Sequence, residues 1–164
     1  MKEHAHHNPE FLKELEQQLP GVLYRIVLSR DGDLYLSYAA GATQEIFGIS
    51  AEEAMQDLSV ITDLLSQKDR DSFRATLKRS AVNLEPWNWI GQFNLPDGST
   101  KWIKSQSKPV ICQGTSEADP CSKGDVVWTG MLLDITARKE TEAHLRIVQK
   151  QMVEAQHLAK MGSW

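Results

Sequence analysis

The sequence predicts an α+β fold: a five-stranded antiparallel sheet with short helices on one face, plus an N-terminal helix and a long C-terminal helix. Three observations point there. Two pairs of β-rich runs are each joined by a glycine-containing turn, Asp31-Gly32-Asp33 in the first and Pro96-Asp97-Gly98-Ser99 in the second. Between the pairs, residues 41–83 change texture and read as short helices. A fifth strand, 125–135, then leads directly into a heptad-spaced helix. Two hairpins flanking a helical excursion belong to the α+β class.

The first segment, residues 1–20, is predicted to hold an N-terminal flanking helix. Asn8 suits its cap, Pro9 its first turn, and Leu12, Leu15 and Leu19 share a face before Pro20-Gly21 ends it. His4, His6 and His7 precede it as a solvated tail. Strands follow at 22–28 and 34–39. In the excursion, 43–47 forms about one turn closed at Gly48, and Ser50 with Glu53 writes a capping box for the next piece. Asp69 or Asp71 opens a longer helix with Phe73, Leu77, Ala81 and Leu84 inward.

The second strand pair is written more sharply. In 87–95, Trp87, Trp89, Phe93 and Leu95 fall on one face and Asn88, Gln92 and Asn94 on the other. The strand over 101–112 carries Pro109, which implies a bulge or a strand end. The last strand is apolar on both faces, with Val126, Trp128 and Leu132 against Val127, Met131 and Leu133. Its outer face therefore needs a cover, which the N-terminal helix or a second copy of the chain would supply.

After Asp134-Ile135-Thr136 the chain turns helical, with Asp134 or Thr136 available as cap. Thr141, Leu145, Val148, Met152, Ala155 and Ala159 recur at alternating spacings of 4 and 3. A helix over 137–159 would be about 35 Å long. It either folds back over the sheet or pairs as a two-stranded coiled coil; an exposed apolar seam favours the second.

Composition excludes several classes. The chain has 164 residues, 41% hydrophobic and 24% charged, which suits one globular domain with flanking helices. A net charge of -4 argues against nucleic-acid binding. No apolar run is long enough to span a bilayer and the N-terminus lacks a signal-peptide core, so the expected location is cytoplasmic, within a parent open to membrane anchoring elsewhere. In that compartment Cys112 and Cys121 read as free thiols, with a disulfide sensor as the alternative. There is no G-x-S-x-G, no H-E-x-x-H and no paired metal-ligand motif, and Glu45, Asp57 and Asp63 read as surface or capping acids. The chain is therefore expected to carry no catalytic site and no metal.

Several segments together carry a family resemblance. These are Tyr24 with the Asp31-Gly32 turn, Glu45-Ile46-Phe47-Gly48-Ile49-Ser50, Asp97-Gly98-Ser99 with Lys101-Trp102-Ile103, and Gly130 with Asp134-Ile135-Thr136-Ala137-Arg138-Lys139. The last is similar to the D-I-T-x-R-K ending of PAS domains, and residues 20 to 140 resemble that family with its PAC portion. Residues 155–164, Ala155 to Trp164, look like the opening of a second such domain. The resemblance implies a sensory module at 21–136, a coiled-coil linker at 137–160, and a further domain beginning at 161–164. The parent would be a sensor histidine kinase or a cyclic-dinucleotide enzyme in a two-component-type signalling system.

The resemblance also implies a pocket between sheet and helices, for which Tyr24, Ile26, Tyr38, Phe47, Phe73, Trp89 and Met131 are the candidates. Signals would leave through Asp134, Thr136, Arg138 and Lys139, with Asp134 paired to Arg138 or Lys139, into the seam of Leu145, Val148, Met152 and Ala155. Neighbouring PAS and output domains and a second copy of the chain are the implied partners. The flavin-binding cysteine motif is missing from 41–83, and the histidine used by haem-binding members is missing from 69–83, so no cofactor is identifiable. His144 lacks the context of a phosphorylated histidine and reads as a coiled-coil flank. Dimerisation or spacing without a ligand is the alternative function.

Overall fold

The computed structural model describes residues 20–114 and 121–162, together with Glu10, Phe11, Glu14 and Gln18. Those four are helical, while Leu12, Leu15 and Leu19, the apolar face predicted for the N-terminal helix, lie outside the described residues, as does its role as a cover. By contacts the chain divides into two compact units, 1–134 and 135–164.

The first unit is built on a five-stranded, wholly antiparallel sheet. Its strands are β1 (Gly21–Leu28), β2 (Leu34–Gly41), β3 (Trp87–Asn94), β4 (Thr100–Ile111) and β5 (Val126–Asp134), in the order β2-β1-β5-β4-β3. β2 and β3 are thus consecutive in sequence but stand at opposite edges. The chain between them must cross the width of the sheet, and it does so as helices α1 (Thr43–Phe47), α2 (Ala51–Gln56), α3 (Ser59–Thr62) and α4 (Gln67–Asn83).

Local chemistry sets the boundaries of these helices. α1 closes at Gly48, whose φ of 70° is a left-handed value that suits glycine. Ser50 Oγ accepts the Glu53 N–H at 3.2 Å, as the capping signal predicts. α4 begins earlier than the predicted Asp69 or Asp71: Ser66 is its cap, accepting the Asp69 N–H at 3.2 Å. Asp69 is used differently, its carboxylate accepting the Gln92 N–H of β3 at 3.1 Å. Leu84, expected to face inward, is an exposed left-handed cap, and Ser80 takes the buried position instead.

The main core lies between the inner sheet face and these helices. Val22, Tyr24, Ile26, Leu36, Phe47, Phe73, Leu77, Trp87, Trp89, Phe93, Ile103 and Trp128 are buried in it. A second, smaller cluster on the outer face joins Val27, Val127 and Cys112 with partly buried Tyr35 and Cys121. Here the expectation of free thiols is corrected: Cys112 and Cys121 are joined as a disulfide, with Cα atoms 6.3 Å apart. Asp125 fixes the same corner, its carboxylate accepting the backbone N–H of Ser122 at 2.8 Å and of Arg30 at 3.2 Å.

The second unit is α5 (Thr136–Met161), a helix of 26 residues with no buried residue. Its cap position is Ile135, without a side-chain cap, rather than the expected Asp134 or Thr136. Arg138 Nε lies 3.3 Å from Glu142 Oε1, and Lys139 Nζ lies 4.0 Å from Oε2.

Candidate functional site

β1 presents Val22, Tyr24 and Ile26 on alternate positions of the inner face, and β3 presents Trp87, Trp89 and Phe93 from the opposite edge. α4 lies over them. Phe73 meets Trp87 and Trp89 edge-on, with ring centroids 5.2 and 5.4 Å apart, while Trp89 is edge-on to Phe93 and Phe93 to Phe47. The indole of Trp89 lies over Gly91, where a Cβ would fall 2.0 Å from the ring. This packing leaves little room. An apolar cavity of about 40 Å³ remains, bounded by Tyr24, Ile26, Phe47, Phe73, Trp89 and Ser105 among others.

Polar groups in this core have specific partners. Ser72, Thr76 and Ser80 are spaced one turn apart on α4 and accept the indole N–H groups of Trp89, Trp87 and Trp128 at 3.3, 2.9 and 3.0 Å. The Tyr24 hydroxyl meets Ser105 Oγ at 2.5 Å. Burial pushes the Tyr24 phenol above its ordinary range, an effect that the hydroxyls of Ser105 and Ser107 only partly offset. Among the described residues, Thr43 Oγ1 and Ser107 Oγ are buried without a hydrogen bond of good geometry.

Five of the seven predicted pocket residues converge on the cavity: Tyr24, Ile26, Phe47, Phe73 and Trp89. Tyr38 and Met131 do not. In β2 the register slips by one residue at Ser37, between the pairs Arg25↔Tyr38 and Ile26↔Leu36. That bulge turns Ala39 inward in place of Tyr38, which is 42% exposed on the other face. Met131 pairs with Leu23 and Gln106, so it shares the outer face, while its neighbour Leu132 lines the cavity.

Sequence reasoning missed a second concavity. The β1–β2 turn, residues 57–62 and one side of α4 enclose an open cleft of about 610 Å³. It shares Leu58, Thr62 and Phe73 with the cavity. A faint signal was available in Arg74 and Lys78, cations one turn apart on a helix whose inner face is apolar.

A sheet roofed on one face by short helices and followed by a separate helical unit is the architecture of a sensory signalling domain. The chain belongs to the PAS fold family, whose profile matches residues 36–119. No curated protein matches the chain.

Solved structures share the fold. A sensory box histidine kinase/response regulator from Burkholderia thailandensis superposes with a TM-score of 0.53 at 21% identity, covering 80% of this chain and 91% of that one. The domain of a putative light and redox sensing histidine kinase from Haloarcula marismortui gives 0.55 at 19% identity, covering 77% and 99%. An RNA-binding light-oxygen-voltage receptor gives 0.58 at 17% identity, covering 93% of this chain. The match spans only 40% of that receptor's length. Identities this low speak for the fold alone.

Proposed function

We propose that this chain is the relay module of a larger signal-transduction protein, dimerising through α5 and passing a conformational change along that helix to a neighbouring domain. One observation carries the reading: α5 has no buried residue, yet its 4-3 seam of Leu145, Val148, Met152 and Ala155 is apolar. Leu145 is 51% exposed and Met152 57%. An apolar stripe at heptad spacing is stabilised by a second helix, and a two-stranded coiled coil is the simplest arrangement that supplies one.

In this reading the sensory core spans 21–136 and the linker 137–160, with the next domain beginning at 161–164. Asp134, Thr136, Arg138 and Lys139 form the junction. The parent is a sensor kinase or cyclic-dinucleotide enzyme, and the module works in the cytoplasm without catalysis of its own. Spacing or dimerisation without an internal ligand is favoured as a second reading by the cavity of about 40 Å³. Ligand pockets usually run from about 300 to 1,000 Å³.

Sedimentation velocity on the intact chain tests the proposal. A dimer that becomes a monomer in the Leu145→Asp, Met152→Asp double variant, with the core still folded, is the expected result. A native chain that sediments as a monomer, or a double variant that stays dimeric, would remove α5 as the dimer seam.

A further inference from the structure

The open cleft beside the core has a consistent division of chemistry. Its floor is apolar, formed by Leu34, Leu58, Phe73 and Leu77. Its cations, Arg74 and Lys78, come from one wall, the side of α4. Its carboxylates come from the other two walls: Asp33 from the β1–β2 turn and Asp57 from the residues that precede α3.

Among the described residues, none of these four groups is in a salt bridge. Arg74 and Lys78 are like charges at i,i+4, a spacing at which they repel. Asp57 is pre-set as an anion, because its Oδ1 accepts the Ser59 N–H at 3.0 Å and the Ser59 hydroxyl at 2.7 Å. The volume of about 610 Å³ falls within the range of small-molecule sites.

We infer that this cleft binds a small zwitterion with an apolar body, of the class of an apolar α-amino acid. The ligand's carboxylate meets Arg74 and Lys78, its ammonium meets Asp33 and Asp57, and its side chain covers the leucine and phenylalanine floor. A simple anion or cation satisfies only one side of this arrangement. The inference deepens the sensory reading by naming a ligand class and a place for it outside the enclosed core. Phe73 connects the two, since it forms the cleft floor and packs edge-on against Trp87 and Trp89. An occupant therefore changes the surroundings of two indoles.

The test titrates the intact chain with L-leucine, 4-methylpentanoate and 3-methylbutylamine, followed by tryptophan fluorescence and saturation-transfer NMR. The second compound lacks the ammonium and the third the carboxylate. L-leucine is expected to bind saturably and about tenfold or more tightly than either analogue, the gain that two partly exposed ion pairs supply. Arg74→Gln with Lys78→Gln should weaken leucine about tenfold, and Asp33→Asn alone about threefold, because it removes one of the two ammonium partners. These side chains are exposed, so an unchanged melting temperature is expected and serves as the folding control. No saturable binding of leucine overturns the inference, and so do equal affinities for the three compounds or undiminished binding by the folded variants. Dimerisation through α5 is read separately by sedimentation, so either proposal can fail without the other.

Discussion

The indole N–H of Trp128, a fully buried residue of β5, donates to Ser80 Oγ on α4 at 3.0 Å, and that same hydroxyl donates onward to the Glu85 carbonyl at 2.5 Å. This relay is the last rung of the ladder in which Ser72, Thr76 and Ser80 receive three indoles. The helix is therefore fixed in rotation and along its axis, because hydrogen bonds are directional where apolar packing is not. Replacing Ser80 by Ala strands a buried donor and a carbonyl, and should cost about 1–3 kcal/mol in denaturant unfolding. Ser72→Ala, at the longer and less buried rung, should cost less. Equal costs would show that the ladder contributes no more than packing.

The bulge at Ser37 makes neighbouring side chains unequal. Leu36 is 6% exposed in the core and Tyr38 points away from it. Leu36→Ala should cost about 2–5 kcal/mol. Tyr38→Ala should cost about 1 kcal/mol or less. A reversed order, measured by urea denaturation, would mean that β2 pairs in a regular register without the bulge.

The Cys112–Cys121 bond closes a short loop, with nine positions separating the two residues. Cross-linking a loop of that size removes denatured-state entropy worth about 2–3 kcal/mol. Reduction, or Cys112→Ser with Cys121→Ser, should lower the melting temperature of the core unit. A midpoint identical with and without reductant, alongside two free thiols by titration, would show that the bond does not form.

Two surface turns carry a pH dependence. Hydrogen bonds from the Ser59 hydroxyl and N–H hold the Asp57 carboxyl below its ordinary 3.8, and Ser99 does the same for Asp97, at 2.6 Å from the hydroxyl and 2.9 Å from the N–H. A carboxylate whose pKa falls on folding stabilises the folded state above its unfolded value, and that contribution is lost as pH falls through the folded value. Part of the stability lost as pH falls below about 4 should therefore trace to these turns. Melting curves for Asp57→Asn with Asp97→Asn should show a shallower acid decline than the native chain; curves of equal slope would contradict this.

Most of the architecture was legible from local patterns. Alternation in β3 separates Trp87, Trp89 and Phe93 from Asn88 and Asn94 because successive strand residues point to opposite faces. Asp31-Gly32-Asp33 and Pro96-Asp97-Gly98-Ser99 mark turns through their own backbone preferences, and Gly32 and Gly98 do adopt φ values of 93° and 88°. The heptad spacing of α5 is likewise periodic information, readable without any partner in view.

Tertiary structure decided what depends on residues far apart in the chain. The inward face of β2 switches at Ser37 because of its pairing with β1, and nothing in 34–41 alone announces that extra residue. Asp69 has the chemistry of a helix cap, but its carboxylate serves Gln92 in a strand 23 positions away. Cys112 and Cys121 meet because both pack with Val27 and Val127 on the outer face of the sheet, and the cleft exists only where the β1–β2 turn comes to lie beside α4. Sequence by itself determined the elements, since their periodicities and turn chemistry are local. Only the packed sheet and helices decided the register, the disulfide and the concave surfaces, because each is a meeting of groups brought together by the whole fold.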